Sequence, residues 1–166
     1  MFGSMADFLL EAADAAYDPE GDVHPPDFRK DRLVVLGIGG CFPETLTLRV
    51  TPAGNAAFEH IRVEFAKKRF WRLARANPEE IRVDRLGGAA APGFSCREDG
   101  SGGCDGRYDP ALLLPAGAKL RLAVGYKVFV DREETYRVVF RNFRGGKPSG
   151  AASMEVVFRN REPIDS

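Results

Sequence analysis

The clearest indication of the fold class is the segment Lys119-Leu120-Arg121-Leu122-Ala123-Val124-Gly125-Tyr126-Lys127-Val128-Phe129-Val130. Every second residue from Leu120 to Val130 is apolar or aromatic, whereas Lys119, Arg121 and Lys127 lie at alternate positions. Successive side chains of a β-strand point to opposite faces of the sheet. This period of two therefore predicts a strand with one face in the core and the other in water.

Other segments repeat the alternation, each bounded by a turn rich in glycine, proline or charged residues. Upstream, the predicted inward sets are Leu46, Leu48 and Val50, then Ile61, Val63 and Phe65. Downstream they are Tyr136, Val138 and Phe140, then Met154, Val156 and Phe158. Strands that bury one face and wet the other are typical of antiparallel sandwiches. We predict an all-β, antiparallel β-sandwich of about seven strands, whose last three, within 118–160, form a meander.

The N-terminal part of the chain has a different character. Apolar residues recur at helical spacing over 4–17, alanine is frequent there, and Ser4 can cap the first turn, so a short helix is predicted. The opening Met1-Phe2-Gly3-Ser4-Met5 resembles a cloning remnant. We thus assign 1–30 to a tag remnant, helix and linker, and 31–166 to the β-sandwich domain. Residues 87–110, rich in Gly, Pro and Asp, are predicted to form one long loop in that domain.

Composition restricts the classes of partner. The chain of 166 residues has 24 basic and 24 acidic residues, so no global field attracts nucleic acid or an anionic membrane. No apolar run approaches the roughly 20 residues that span a bilayer. The outward arginines on the predicted strands are expected to pair with outward Glu64, Glu133 and Glu155 rather than form a cationic face. Those arginines are Arg49, Arg62, Arg121, Arg137, Arg141 and Arg159.

Two strand-and-turn segments carry a resemblance. Leu114-Pro115-Ala116-Gly117-Ala118-Lys119-Leu120-Arg121-Leu122 resembles the turn leading into a central strand of bacterial immunoglobulin-like or fibronectin-III-like sandwiches. The segment Leu48-Arg49-Val50-Thr51-Pro52-Ala53-Gly54-Asn55, running into Ile61-Arg62-Val63, is similar to their strand-turn-strand opening. The resemblance covers roughly residues 45–160 and implies a role in binding, linking or scaffolding.

The best candidate site is a short segment in which aromatic residues are flanked by basic residues. Its members are Lys67, Lys68, Arg69, Phe70, Trp71, Arg72 and Arg75. Tryptophan and arginine are enriched in protein interface hot spots, and basic residues beside rings also suit phosphates or a membrane surface. The alternative is a strand end with Phe70, Trp71 or Leu73 in the core. Of the partners, another protein is favoured over nucleic acid or membrane, and a homo-oligomer is left open.

The cysteines and histidines do not spell out a metal site or a catalytic centre. Cys96 and Cys104 enclose a short glycine-rich loop that a disulfide could close, although three reduced thiols in a cytosolic protein are the alternative. There is no CxxC pair, and the acidic residues lack the spacing of a calcium loop, so no metal or other cofactor is predicted. Cys41 and His60 could be drawn as a thiol–imidazole pair, but the nucleophile, phosphate-loop and zinc-protease motifs do not occur in this sequence.

We therefore predict a non-catalytic protein-binding or scaffolding β-sandwich module of a larger bacterial protein or assembly, with a cytoplasmic location favoured over a periplasmic or extracellular one. One alternative is a carbohydrate-binding or adhesin-type surface module with a Cys96–Cys104 disulfide. The other is an enzyme whose residues lie on the 87–110 loop.

Overall fold

Twelve β-strands and no helix make up the regular structure of the residues that the computed structural model describes, which are 8–16, 27–29, 32–69, 71–87, 94–95 and 103–161. Their bounds are β1 Phe8–Ala16, β2 Asp27–Arg29, β3 Arg32–Gly37, β4 Thr45–Pro52, β5 Ala56–Arg69, β6 Arg72–Arg75, β7 Ile81–Gly87, β8 Phe94–Ser95, β9 Cys104–Leu114, β10 Leu120–Val128, β11 Glu133–Arg144 and β12 Lys147–Asn160. The all-β prediction is confirmed, with more strands than the seven expected.

The strands form two sheets. The first has the order β1-β4-β10-β7, and all its pairs are antiparallel. The second has the order β2-β3-β12-β11-β5-β9-β8, with β6 attached to β5. Its described pairs are antiparallel except β3 with β12, where 32–37 run parallel to 155–160. The second sheet is therefore mixed, whereas the sequence predicted antiparallel pairing throughout.

The two sheets share one core. Tyr126 of β10 reaches across from the first sheet, and its ring centroid lies 5.4 Å from that of Phe158 on β12 and 6.1 Å from that of Phe65 on β5. Phe65 and Phe158 also pack against Tyr136 of β11. Such aromatic pairs contribute about 1 kcal/mol each beyond the burial of their area. The predicted inward faces are thus correct, and the sheets are arranged as a sandwich around them.

The predicted meander of the last three strands is wrong in one respect. Strands β11 and β12 pair with each other, but β10 lies in the first sheet between β4 and β7. The chain crosses from one sheet to the other over 129–132, where Val130 is buried. Alternation specifies which face of a strand is buried, and both sheets offer the same kind of face to the core.

The predicted N-terminal helix over 4–17 is wrong for the part that is described. Residues 8–16 form β1, which pairs with β4 from Phe8 opposite Pro52 to Ala16 opposite Thr45. Phe8 and Leu10 are buried, whereas Leu9 between them is exposed, so the segment follows a period of two. Backbone pairing along β4 and burial of Phe8 outweigh the helix propensity of the alanines, which amounts to only tenths of a kcal/mol per residue.

The predicted 87–110 loop is also interrupted by strands. Strand β9 begins at Cys104, and β8 pairs with it through Phe94 and Ser95. Glycine and aspartate disfavour strands on average, but Cys104, Gly106 and Tyr108 alternate as inward residues and β9 pairs along β5. Residues 88–93 and 96–102 lie outside the described part, as do 1–7, 17–26 and 30–31 of the predicted N-terminal region.

Docking of β1 can be tested at Gly150 on β12. Gly150 has a φ of 108°, and a Cβ at this position would overlap the ring of Phe8. We expect Gly150→Ala to lower the free energy of unfolding by about 3 kcal/mol, because backbone strain and overpacking add. Gly146→Ala is the matched control, since Gly146 has a φ of 77° with open space around it, and should cost about 1 kcal/mol. Equal costs in chemical denaturation would contradict the packing of Phe8 on β12.

Candidate functional site

Strand β5 is 14 residues long and continues past its described pairing with both of its main neighbours. Its described pairing with β11 ends at Ala66 opposite Arg137, and its pairing with β9 ends at Val63 opposite Cys104. Beyond these points the chain turns back on itself, and β6 pairs with β5 from Ala66 opposite Arg75 to Arg69 opposite Arg72. The basic-aromatic segment is therefore a β-hairpin that extends from the second sheet.

The predicted site residues lie mostly on the surface of this hairpin. Trp71, at the turn of the hairpin, is 88% exposed, and Leu73 on β6 is also exposed. Neither the Trp71 ring nor the Leu73 side chain therefore belongs to the core. The basic members Lys68, Arg69, Arg72 and Arg75 are exposed, and Lys67 is half-buried. Phe70 lies outside the described residues. The alternative in which Trp71 or Leu73 fills the core is excluded.

The base of the hairpin is held by polar contacts. Lys67 Nζ lies 3.5 Å from Glu134 Oε2, 3.8 Å from Glu80 Oε2 and 5.8 Å from the ring centroid of Tyr136. Burial raises the pKa of Tyr136 well above its ordinary value, and the carboxylates of Glu80 and Glu134 raise it further. Lys67 is thus engaged in fixing the hairpin on the sandwich. The cations that remain outward-facing on it are those at 68, 69, 72 and 75.

Other exposed apolar side chains lie at the same end of the sandwich. The Phe129 N–H donates to the carbonyl of Glu80, at 2.7 Å, and the Phe129 side chain is 69% exposed. Ile38 lies in the turn that follows β3, next to the C-terminal end of β12. We call this end of the sandwich the hairpin end. It comprises the hairpin residues 67–69 and 71–75, the turns 38–41 and 77–80, and the loop 129–132. Four of the six large exposed hydrophobic side chains in the described residues lie there, the others being Leu9 and Leu113.

A buried asparagine holds the loops of the hairpin end in place. The side-chain nitrogen of Asn160 donates to the carbonyls of Val130 and Asp131, at 2.6 and 2.9 Å. Its side-chain oxygen accepts from the N–H of Gly40, at 2.9 Å. One amide thereby ties the end of β12 to two loops, and leaving such buried groups unpaired would cost about 1–3 kcal/mol each.

A second cluster of charged residues covers part of the outer face of the second sheet. His60 Nε2 lies 2.6 Å from one oxygen of Asp105, and an Arg62 N–H donates to the other oxygen, at 2.9 Å. Glu64 lies between Arg62 and Arg141 and accepts a hydrogen bond from Arg141. The ring of His60 packs on Phe143, with centroids 5.1 Å apart. Each carboxylate is shared by two basic side chains, which suits a structural network.

This network bears on two sequence predictions. The outward glutamates do pair with arginines, since Glu64 contacts Arg62 and Arg141 and Glu133 contacts Arg159, so the expected pairing is confirmed at these positions. The contacts of Asp105 with His60 and Arg62 do not follow from the composition of 87–110, which predicts a loop. The signal that could have found Asp105 is the alternation of Cys104, Gly106 and Tyr108 on its two sides.

The opposite end of the sandwich contains a cleft of about 300 Å³ between the β4–β5 turn and the β11–β12 hairpin. Phe8 and Pro52 form its apolar part, and Asn55, Arg144 and Ser149 contribute polar groups. The buried amide of Asn142 at its floor donates to the carbonyls of Ala57 and Ser149 and accepts from the N–H of Glu59. The polar groups of the Asn142 side chain are therefore used to join strands.

The remaining sequence candidates are distributed as follows. Cys41 is exposed in the turn after β3. His60 on β5 instead contacts Asp105 on β9 and Phe143 on β11. Cys104 is buried on β9, and Cys96 lies outside the described residues, so the Cys96–Cys104 disulfide stays a prediction. In the described part of the chain no three His, Cys, Asp or Glu residues are grouped so that they could hold a metal ion. The same part has no helix that could cross a membrane.

The charge network can be tested by replacing Asp105, whose side chain is 16% exposed. We expect Asp105→Asn to lower the free energy of unfolding by about 2 kcal/mol, because the hydrogen bond from the charged Arg62 and the contact with His60 are both weakened. Glu133→Gln is the control. Its oxygen lies 2.5 Å from Arg159 Nε, but the pair is about half exposed and should contribute about 0.5 kcal/mol or less. Similar costs for both substitutions in denaturant titrations would show that the network is not stabilising.

Comparison with known proteins does not add a family assignment to this geometry. No protein-family model matches the chain, and no curated protein matches its sequence.

Proposed function

We propose that this chain is a non-catalytic protein-binding or scaffolding β-sandwich module, and that the hairpin end is its contact surface. The observation that carries the proposal is Trp71, 88% exposed at the tip of a hairpin that continues β5 beyond its described pairing with β11 and β9. Exposing so large an apolar ring has a cost in water that a partner surface would relieve. Tryptophan and arginine are also the residues most enriched among interface hot spots.

The charges around Trp71 indicate the chemistry of the partner. Lys68, Arg69, Arg72 and Arg75 place four cations on one short hairpin, although the chain as a whole has no net charge. A local positive surface steers and orients an acidic partner surface and disfavours a basic one. We therefore propose a partner that presents carboxylates around an apolar pocket or side chain.

The apolar residues favour a protein over nucleic acid or a neutral sugar. Leu73, Phe129 and Ile38 are exposed at the hairpin end together with Trp71. Protein interfaces bury aromatic and aliphatic side chains at their centre behind a polar rim, whereas nucleic-acid interfaces are more polar and more strongly positive. A neutral sugar would make no use of the four cations. The immunoglobulin-like resemblance is compatible with this role.

The proposal predicts that Trp71→Ala removes partner binding while the fold is kept. Leu113→Ala is the matched control, because Leu113 is 73% exposed and lies on β9 at the opposite end. Bait proteins would be cross-linked in a bacterial lysate, and captured proteins quantified by mass spectrometry with the cross-linked residues mapped. We expect partners cross-linked at 67–75 to bind wild type and Leu113→Ala alike, and Trp71→Ala at least about 10-fold less, as for a hot-spot residue.

The opposite pattern would contradict the proposal. If Trp71→Ala captures the same proteins as wild type, or if cross-links map to the Leu113 end and depend on Leu113, the hairpin end is not the contact surface. Equal thermal unfolding midpoints of the two variants show that any loss of capture is not a loss of fold.

A further inference from the structure

The hydrogen-bonding parity of β6 shows which of its backbone groups face away from the sheet. The Ala76 N–H donates to the carbonyl of Phe65, so these two residues form a hydrogen-bonded pair. Such pairs alternate with non-hydrogen-bonded pairs along an antiparallel ladder. Counting back along the register, Ala74 with Lys67 and Arg72 with Arg69 are hydrogen-bonded pairs, and Leu73 with Lys68 and Arg75 with Ala66 are not.

The backbone N–H and C=O groups of Leu73 and Arg75 therefore point to the outer edge of β6. Within the described residues β6 pairs with β5 alone. Arg72, Leu73 and Arg75 are exposed, so solvent reaches this edge. An edge of this kind presents a row of donors and acceptors that another extended chain can pair with.

The side chains along the edge select what can pair with it. A second copy of β6 would bring further cations beside Arg72 and Arg75, and like charges on adjacent strands are destabilising. An acidic strand would instead place carboxylates opposite them. Pairing at the outer edge also brings the incoming strand beside Leu73, which supplies an apolar contact on the same four-residue element.

We propose that β6 is an acceptor edge, to which an extended acidic segment of the partner protein adds as a strand through the backbone of Leu73 and Arg75. This inference rests on the proposed function and specifies how the partner is bound. Main-chain hydrogen bonds would provide affinity, and the basic residues of the hairpin would provide the preference for acidic sequences.

The test uses a defined probe, a synthetic peptide of alternating glutamate and valine, with the alternating lysine and valine peptide as its control. Amide exchange and chemical shifts of the full chain would be followed by NMR during titration. We expect the acidic peptide to slow exchange at the Leu73 and Arg75 amides, and the lysine peptide to leave them unchanged. Absence of protection at these amides with the acidic peptide, or equal protection by both peptides, would overturn the proposal.

Backbone substitution separates strand addition from side-chain contact. Proline lacks the N–H and is tolerated at edge positions whose N–H faces outward. Leu73→Pro is therefore compared with Leu73→Ala, and Arg75→Pro with Arg75→Ala. Both variants at a position lack the original side chain, and only the proline variant also lacks the backbone N–H. We expect each proline variant to bind the acidic peptide at least about 10-fold more weakly than its alanine counterpart. Unchanged chemical shifts of the β5 amides confirm that the hairpin remains paired in a variant. The test is complete if the proline and alanine variants fold correctly at one of the two positions.

The outcomes also distinguish this inference from the proposed function. If Trp71→Ala loses the captured partners but the proline and alanine variants bind the peptide equally, side chains make the contact and strand addition is wrong. If Trp71→Ala has no effect on capture, the proposed function itself fails. Protection of the Leu73 and Arg75 amides by self-association, by anionic phosphatidylserine vesicles or by single-stranded DNA, but not by the acidic peptide, would likewise overturn the proposal.

Discussion

Strand β5 lies between β11 and β9 in the second sheet and continues past its described pairing with both. At roughly 3.3 Å per residue its 14 residues span about 45 Å. Phe58, Ile61, Val63 and Phe65 anchor its first part between the sheets, with β11 on one edge and β9 on the other. In its last part the described pairing with both neighbours has ended, and the chain pairs with itself by folding back as β6. The exposed hairpin begins where the pairing with β11 and β9 ends.

The hairpin end is also ordered by specific polar contacts. Lys67 is fixed between Glu80 and Glu134, and Asn160 binds the loops at Gly40 and at Val130. A surface held in place before binding loses less conformational entropy when a partner docks. The network of His60, Arg62, Glu64 and Asp105 has a comparable effect further along β5, where it links that strand to β9.

The sequence predicted the parts of this architecture that depend on local pattern. The inward faces of β4, β5, β10, β11 and β12 follow from alternation, and the basic-aromatic segment was recognisable because its residues are contiguous. Alternation could not place β10 in the first sheet, because either sheet buries the same face. The alanine-rich segment of β1 has a helical preference that only its pairing with β4 overrides. Phe129, Ile38 and Asp105 join their sites through contacts distant in sequence, which local pattern does not contain.

Fluorescence of Trp71, the single tryptophan of the chain, measures whether the hairpin presents this ring to solvent. Its ring is 88% exposed on a hairpin that bears four cations, so its emission should lie at the red, water-exposed limit. Because the local potential is positive, iodide should quench it much more strongly than caesium, with the difference shrinking as salt screens the charges. Blue-shifted emission that both ions quench poorly would show that Trp71 is buried in the isolated chain, and would contradict its assignment to the contact surface.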